Sequence, residues 1–161
     1  MKTLLFAFLM AVTVKAGNID QPTFTLFLPD GWDEKVETRD SDLLQVTFSK
    51  GELCSLLVLS AKRSNGATTQ MMTRSLKADI LKLFNMEPVA APLAAWGKHA
   101  VKGVTFTGKA GDAPNQLTIT VKFIEIENGD NLFAIVELGD SEELDEFKAE
   151  LERMRQSFQP K

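Results

Sequence analysis

The sequence has few of the residues on which metal and redox sites depend. Its 161 residues include one cysteine, Cys54, one histidine, His99, and no tyrosine. One histidine and one cysteine cannot supply the three or four nitrogen and sulfur ligands of a zinc site, so we expect no metal. A lone cysteine also excludes an intramolecular disulfide, which small secreted scaffolds need and a chain of this length does not.

Motifs for phosphate and calcium binding are missing as well. No glycine-rich loop precedes a Lys-Ser/Thr pair and a helix, as phosphate cradling requires. Asp40 and Asp42, and the group Asn128, Asp130 and Asn131, have the oxygen atoms that calcium prefers, but neither group has a matching glutamate at the required distance. Turns favour the same residue types, so we interpret both groups as turn residues and expect no cofactor.

Acid-base or nucleophilic catalysis has few candidates in this chain. His99 stands in Trp96-Gly97-Lys98-His99, which matches no triad or nucleophile-elbow signature. Cys54 is followed in its pleat by Leu56 and Val58, an apolar setting that raises the pKa of a thiol. We therefore expect a core thiol at Cys54, a partly exposed histidine leading into a strand, and no enzymatic activity.

The first sixteen residues have the pattern of a secretory signal peptide. Lys2 precedes an apolar run from Leu4 to Val14, and Val14-Lys15-Ala16 forms the cleavage site before Gly17. The run is shorter than the roughly 20 residues that a bilayer span requires, so no membrane anchor is expected. The predicted mature chain is a single domain of residues 17–161, located in a bacterial periplasm or secreted.

The charge balance disfavours polyanionic partners. The full chain has 18 basic and 22 acidic residues. Removal of residues 1–16 takes away Lys2 and Lys15 but no acid, which leaves 16 basic against 22 acidic residues and a net charge of −6. Nucleic acids and anionic membrane surfaces both attract a positive surface, so neither is an expected partner.

The apolar periodicity predicts a mainly antiparallel sheet. Two segments, Leu53–Leu59 and Leu132–Leu138, are apolar on both faces of the pleat and are therefore expected at the centre of the sheet. Asn128-Gly129-Asp130 predicts a hairpin turn before the second of them. The other predicted strands cover residues 23–28, 35–39, 43–49, 100–108 and 116–126.

Two segments have the apolar spacing of helices. Residues 69–84 form one, and the other follows Asp140, which with Glu143 can form a capping box. The apolar positions of the second are Leu144, Phe147, Leu151, Met154 and Phe158. Central strands need cover on both faces, so we predict an α+β fold in which a sheet of about six to eight strands packs between helices as an α/β/α sandwich.

One connection has the composition of a recognition surface. Residues 85–99 contain Pro88 and Pro92 and predict an irregular connection or an edge strand. This stretch also contains four apolar residues, which we take as the candidate partner-binding residues: Met86, Val89, Leu93 and Trp96. The alternative is that the same side chains pack onto the core.

Several of these segments together resemble the PsbP-like superfamily. The resemblance rests on Phe24-Thr25-Leu26-Phe27-Leu28-Pro29-Asp30-Gly31-Trp32 near the mature start, on the Gly103–Gly108 segment, and on a final helix ending Gln156-Ser157-Phe158. The superfamily includes an extrinsic subunit of photosystem II, a nuclear-import factor that binds the GTPase Ran, and exported bacterial proteins. It implies an antiparallel sheet between helices, a structural role for Trp32, and mostly non-enzymatic binding functions.

Three functional hypotheses remain at this point. The first is an exported, non-catalytic module that docks a protein partner in the bacterial envelope, in an adaptor, accessory or immunity-type role. The second is a carrier of a small apolar ligand held in a pocket between the sheet and a helix. The third, and least favoured, is a hydrolase using carboxylates or His99.

Overall fold

The computed structural model describes residues 12–13, 15–39, 43–84, 89–111 and 114–161. These residues form the following strands: β1 (Val12–Thr13), β2 (Gly17–Asp20), β3 (Phe24–Leu28), β4 (Asp33–Arg39), β5 (Leu43–Lys50), β6 (Cys54–Lys62), β7 (Val89–Trp96), β8 (His99–Ala110), β9 (Leu117–Asn128), β10 (Asn131–Asp140) and β11 (Gln159–Pro160). The α-helices are α1 (Thr69–Leu83), α2 (Ser141–Glu146) and α3 (Lys148–Ser157). A short 3-10 turn covers Arg63–Asn65.

An antiparallel sheet forms the middle layer. Its order is β1-β4-β5-β6-β10-β9-β8-β7, so β6 and β10 lie side by side at the centre, with Val58 opposite Ile135. This confirms the predicted positions of the two segments that are apolar on both faces. Gly129 has a φ of 60° in the β9–β10 turn, which is the conformation that the predicted hairpin requires.

Both faces of the sheet are covered. On one face lie α3 and a small sheet of order β11-β3-β2. This layer buries the following residues against the sheet: Phe24, Leu26, Leu28, Trp32, Leu151, Met154 and Phe158. On the other face α1 packs through Met72, Leu76 and Ile80. The predicted α+β sandwich is therefore confirmed.

Both helices begin where the sequence predicts, but the first ends earlier than predicted and the second is interrupted. The Thr68 side chain accepts a hydrogen bond from the Met71 N–H at 3.2 Å, and α1 ends one residue before the predicted limit. Asp140 accepts from the N–H groups of Glu142 and Glu143, both at 2.9 Å, as an N-cap should. The C-terminal helix is interrupted at Phe147 (φ −95°, ψ 12°), so it forms two helices instead of one.

The predicted capping box forms only in part, because the bond from the Glu143 side chain back to Asp140 is missing. The Glu143 carboxylate turns away from Asp140 and accepts from three consecutive N–H groups, those of Glu52 at 2.6 Å, Leu53 at 2.9 Å and Cys54 at 2.7 Å. Three charge-assisted hydrogen bonds outweigh the single one that a capping box offers. Glu143 thus ties α2 to the turn that precedes β6.

Two sequence predictions fall mainly outside the described residues. Of the predicted leader, the short strand β1 is described, and it pairs with Asp33 and Glu34 of β4; cleavage after Ala16 stays a prediction. Asp40 and Asp42 lie outside the described residues. Among the helices that the structure describes, none has the length and apolarity needed to cross a membrane.

Candidate functional site

The segment chosen from the sequence as a recognition surface forms β7, an edge strand of the main sheet. Among the residues that the structure describes, β7 pairs only with β8, with Val89 opposite Thr107 and Leu93 opposite Gly103. Its register shifts between Leu93 and Ala95, which marks a β-bulge. Pro92 lacks an N–H group, and a strand with a free edge tolerates that loss. Of the two alternatives drawn from the sequence, the edge strand is correct.

The four candidate partner-binding residues end up in different places. Val89 has 76% of its surface exposed, whereas Leu93 is half-buried against the core. Trp96 is 2% exposed and lies in the core, so the alternative given for this side chain is correct and its choice as an exposed partner-binding residue is wrong. Met86 lies outside the described residues. The exposed part of the strand, which we call the β7 surface, consists of Val89, Ala90, Ala91, Pro92, Ala94 and Ala95.

Trp96 is buried because distant parts of the chain provide its partners. Its indole Nε1–H donates to the Glu137 carboxylate at 3.2 Å, and its ring meets that of Phe158 edge-on with centroids 5.5 Å apart. Both partners lie on the face covered by α3, which the bulge in β7 allows the indole to reach. Trp96 therefore anchors the end of β7 to the core.

Glu137 is a buried charge in the central strand β10. It is 1% exposed and pairs with Arg155 of α3 through two hydrogen bonds, at 2.8 Å and 2.7 Å, and with Lys122 of β9. Burial alone would raise the pKa of Glu137, but the hydrogen bonds from Arg155 and the charges of Lys122 and Arg155 outweigh it and hold the pKa below its usual range.

Sequence reasoning did not select Glu137 as an important residue. One feature of the sequence could have identified it: Glu137 is the only charged residue between Leu132 and Leu138, in a strand that is otherwise apolar on both faces. A charge at such a position needs a partner, because an unpaired buried carboxylate is costly. The sequence does not name the partners, since Arg155 lies on another element.

The opposite side of the sheet has a different character. β4 carries charges at five of its seven positions: Asp33, Glu34, Lys35, Glu37 and Arg39. In the described part of the chain, β1 pairs with β4 only at Asp33 and Glu34, and charged side chains near the edge of a sheet discourage association with other chains. β7 has no charged residue among its eight, so the protection that charge gives β4 is absent from β7.

His99 and Cys54, the two side chains considered for catalysis, both have structural contacts. His99 is half-buried at the start of β8, and its Nε2–H donates a hydrogen bond to the Phe158 carbonyl at 2.9 Å. Cys54 is 1% exposed. Burial, followed by the negative charges of Glu143 and Glu137, raises the pKa of the Cys54 thiol to about 12. The predicted core position of Cys54 is confirmed.

The acidic groups considered for calcium have other roles where the structure describes them. Asp130 accepts hydrogen bonds from the N–H and the hydroxyl of Ser64, both at 2.8 Å, so it fastens the turn after β6. Within the described ranges, no three His, Cys, Asp or Glu side chains come together as a metal site would require. Asp130 is thus explained by local structure.

Two surface grooves have sizes in the range of binding sites. One, of about 560 Å³, lies between the start of β8 and the end of β9. The other, of about 360 Å³, lies beside β2 and β3. Both linings mix polar and apolar residues, whereas a carrier of an apolar ligand needs a mainly apolar pocket. Neither groove gives specific support to the carrier hypothesis.

Comparison with known proteins identifies the fold class as PsbP-like. The chain is similar to cyanobacterial PsbP (CyanoP) from Synechocystis sp. PCC 6803, whose solution structure matches with a TM-score of 0.53 and 12% sequence identity. The match covers 97% of this chain and 99% of that chain. At this identity the likeness concerns the fold alone. No protein-family model and no curated protein matches the sequence.

Proposed function

We propose that this protein is an exported, non-catalytic module that docks a protein partner through the β7 surface. One observation carries the proposal: six of the eight residues of β7 are exposed and none of the eight is charged, on the outermost strand of the sheet. Contiguous exposed apolar residues of this kind are typical of interaction sites. An adaptor, accessory or immunity-type role in the bacterial envelope fits such a module.

The partner contacts side chains of β7 more than its backbone. Pro92 offers no N–H group, and the bulge between Leu93 and Ala95 interrupts the regular spacing of backbone groups along the strand. Both features oppose the addition of a long regular strand. The small, uncharged side chains of the β7 surface instead offer a flat apolar contact, with Val89 protruding most.

Two exposed valines provide a matched test of this proposal. Val89 lies on β7 and Val36 on β4, and they are 76% and 48% exposed. The tagged full chain is used to capture partners from an envelope extract, and Val89→Glu is compared with Val36→Glu. A charge buried in the contact weakens binding by roughly tenfold or more. We expect Val89→Glu to lose the partner and Val36→Glu to retain it.

Folding of both variants is checked by circular dichroism before capture. Equal capture by the two variants would overturn the β7 surface as the docking site. Loss in both, with folding intact, would show a contact that is not confined to β7 and would equally overturn the proposal.

Export is tested separately from docking. The leader proposed for residues 1–16 places Gly17 at the mature N-terminus. Mass spectrometry of the protein recovered from the envelope and medium of a bacterial host determines that terminus. Recovery of the intact chain in the cytoplasm alone would contradict a periplasmic or secreted location.

A further inference from the structure

The main sheet opens between β8 and β9 at one end. Pairing of the two strands runs from Ala110 opposite Leu117 to Lys102 opposite Glu125, and no register continues beyond that pair. β8 nevertheless extends three residues further, to His99, and β9 three residues further, to Asn128. The two ends diverge and border the groove of about 560 Å³.

Each divergent end is held by a strand on its outer side. In β8, His99 and Ala100 lie opposite Trp96 and Ala95 of β7. In β9, residues 126–128 lie opposite residues 131–133 of β10. Both ends are thus ordered strands whose other edge, with its backbone N–H and C=O groups, faces the groove.

The C-terminal segment contacts the β8 side of the groove. At the tip of the β7–β8 hairpin, Lys98 donates to the Gln159 side chain at 3.0 Å, and His99 donates its hydrogen bond to the Phe158 carbonyl. Gly97 packs directly on the backbone of Arg155. The tip is therefore fixed on the C-terminal segment, which also contacts β9, because Asn128 donates to the Lys161 carbonyl at 3.0 Å, and which lines the groove through Gln159 and Pro160.

The groove lining includes two carboxylates, Glu125 and Glu127, and one amino group, that of Lys102. Glu125 and Glu127 lie two residues apart on β9 and so point to the same face, where Lys102 faces them from β8. One oxygen of Glu125 accepts from the Thr69 hydroxyl at 3.0 Å, and Glu127 pairs with the exposed Arg63.

We propose that this groove binds an extended peptide segment that carries a lysine or arginine. Two strand edges that stop pairing with each other beyond Lys102 and Glu125 match the backbone of another extended chain, as in recognition by strand addition. The carboxylate of Glu125, which forms no ion pair among the described residues, selects a cationic side chain on that segment, whereas Glu127 beside it is already paired with Arg63. The site is separate from the β7 surface and does not depend on the docking function proposed above.

The test is an NMR titration of the isotope-labelled full chain with a short probe. The probe is acetyl-Thr-Lys-Val-Lys-Thr-amide, and its counterpart has glutamate in place of both lysines. We expect the lysine peptide to shift the amide signals of residues 99–101 and 126–128 and to slow their hydrogen exchange. The glutamate peptide should bind more weakly.

A matched pair of variants tests the charge contribution. Glu125→Gln keeps an oxygen that can accept from Thr69 but removes the charge, and we expect it to weaken the lysine peptide roughly two- to fivefold. Glu37→Gln, on the distant strand β4, should leave the affinity unchanged. Signal changes confined to other regions, no change at millimolar peptide, or equal affinity for the two peptides would each overturn the proposal.

Discussion

Arg155 in α3 makes a two-point ion pair with the buried carboxylate of Glu137 in the central strand β10. Its Nε donates to one carboxylate oxygen and a terminal guanidinium nitrogen to the other. Lys122, directly across from Glu137 on β9, adds a third contact, and Trp96 a fourth. The Glu137 carboxylate thus joins α3, the neighbouring strands β9 and β10, and the edge strand β7, which carries the proposed docking surface.

Removal of the Glu137 charge should destabilise the fold. In Glu137→Gln, Arg155 and Lys122 lose their anionic partner, although each stays partly exposed and can regain some hydration. We expect a loss of about 2 to 3 kcal/mol in the free energy of unfolding, measured by denaturant titration. Glu152→Gln is the control, because Glu152 also pairs with Arg155 but is half-exposed, and it should cost under about 0.5 kcal/mol. Equal losses in the two variants would contradict this role.

The same residue should make stability depend on pH. Because the pKa of Glu137 is held below its usual range, the folded protein binds this proton less readily than the unfolded chain does. Its contribution to stability is therefore complete above the unfolded pKa and is lost as the pH falls through the folded pKa.

We expect the stability difference between the wild type and Glu137→Gln to be largest at neutral pH and to shrink in the acid range below the usual glutamate pKa. Denaturant titrations over that range measure it. A difference that stays constant with pH would show that the ionised carboxylate is not the source of the stabilisation.

The sequence predicts those parts of this arrangement that depend on local pattern. The helix over residues 69–84 and the central position of β6 and β10 follow from apolar spacing, and the structure confirms them within a few residues at their ends. The burial of Trp96 does not follow, because it depends on Glu137, 41 residues away, and on a bulge in β7. Glu143 is similar, since its three N–H partners lie about 90 residues away.

The two candidate sites, the β7 surface and the groove between β8 and β9, also differ in how far the sequence predicts them. The composition of residues 85–99 allows both an exposed edge strand and a segment packed onto the core, and the structure shows Val89 exposed on an uncharged strand. The groove between β8 and β9 does not follow from the sequence, because both segments have ordinary strand patterns and neither marks the point at which their pairing ends. Only tertiary contacts determine where two strands of a sheet stop pairing.

Cys54 should be inert in the folded protein. Burial, with the negative charges of Glu143 and Glu137, raises the pKa of its thiol to about 12, so very little thiolate forms at mildly alkaline pH. We expect labelling by iodoacetamide to be slow in the native state and rapid after denaturation. Mass spectrometry of the time course measures both rates.

The Glu143 contacts suggest a matched pair of variants for the same assay. Glu143→Ala removes the carboxylate that ties α2 to the N–H groups of residues 52–54 and should accelerate the labelling of Cys54. Glu142→Ala, one residue earlier and exposed, should not. Rapid labelling of the wild-type native protein would contradict the buried state of Cys54.

Gly97 should be intolerant of any side chain. Its φ is 58°, a conformation that costs an L-residue about 1 to 2 kcal/mol, and a Cβ there would lie 2.4 Å from the backbone oxygen of Arg155. The backbone of a packed helix cannot yield easily, so we expect Gly97→Ala to destabilise the fold by about 3 kcal/mol in total. Gly129 has nearly the same φ, 60°, with no atom within 4 Å of the added Cβ, so Gly129→Ala measures the backbone cost alone. Equal thermal stability of the two variants would show that the hairpin tip is not packed against α3.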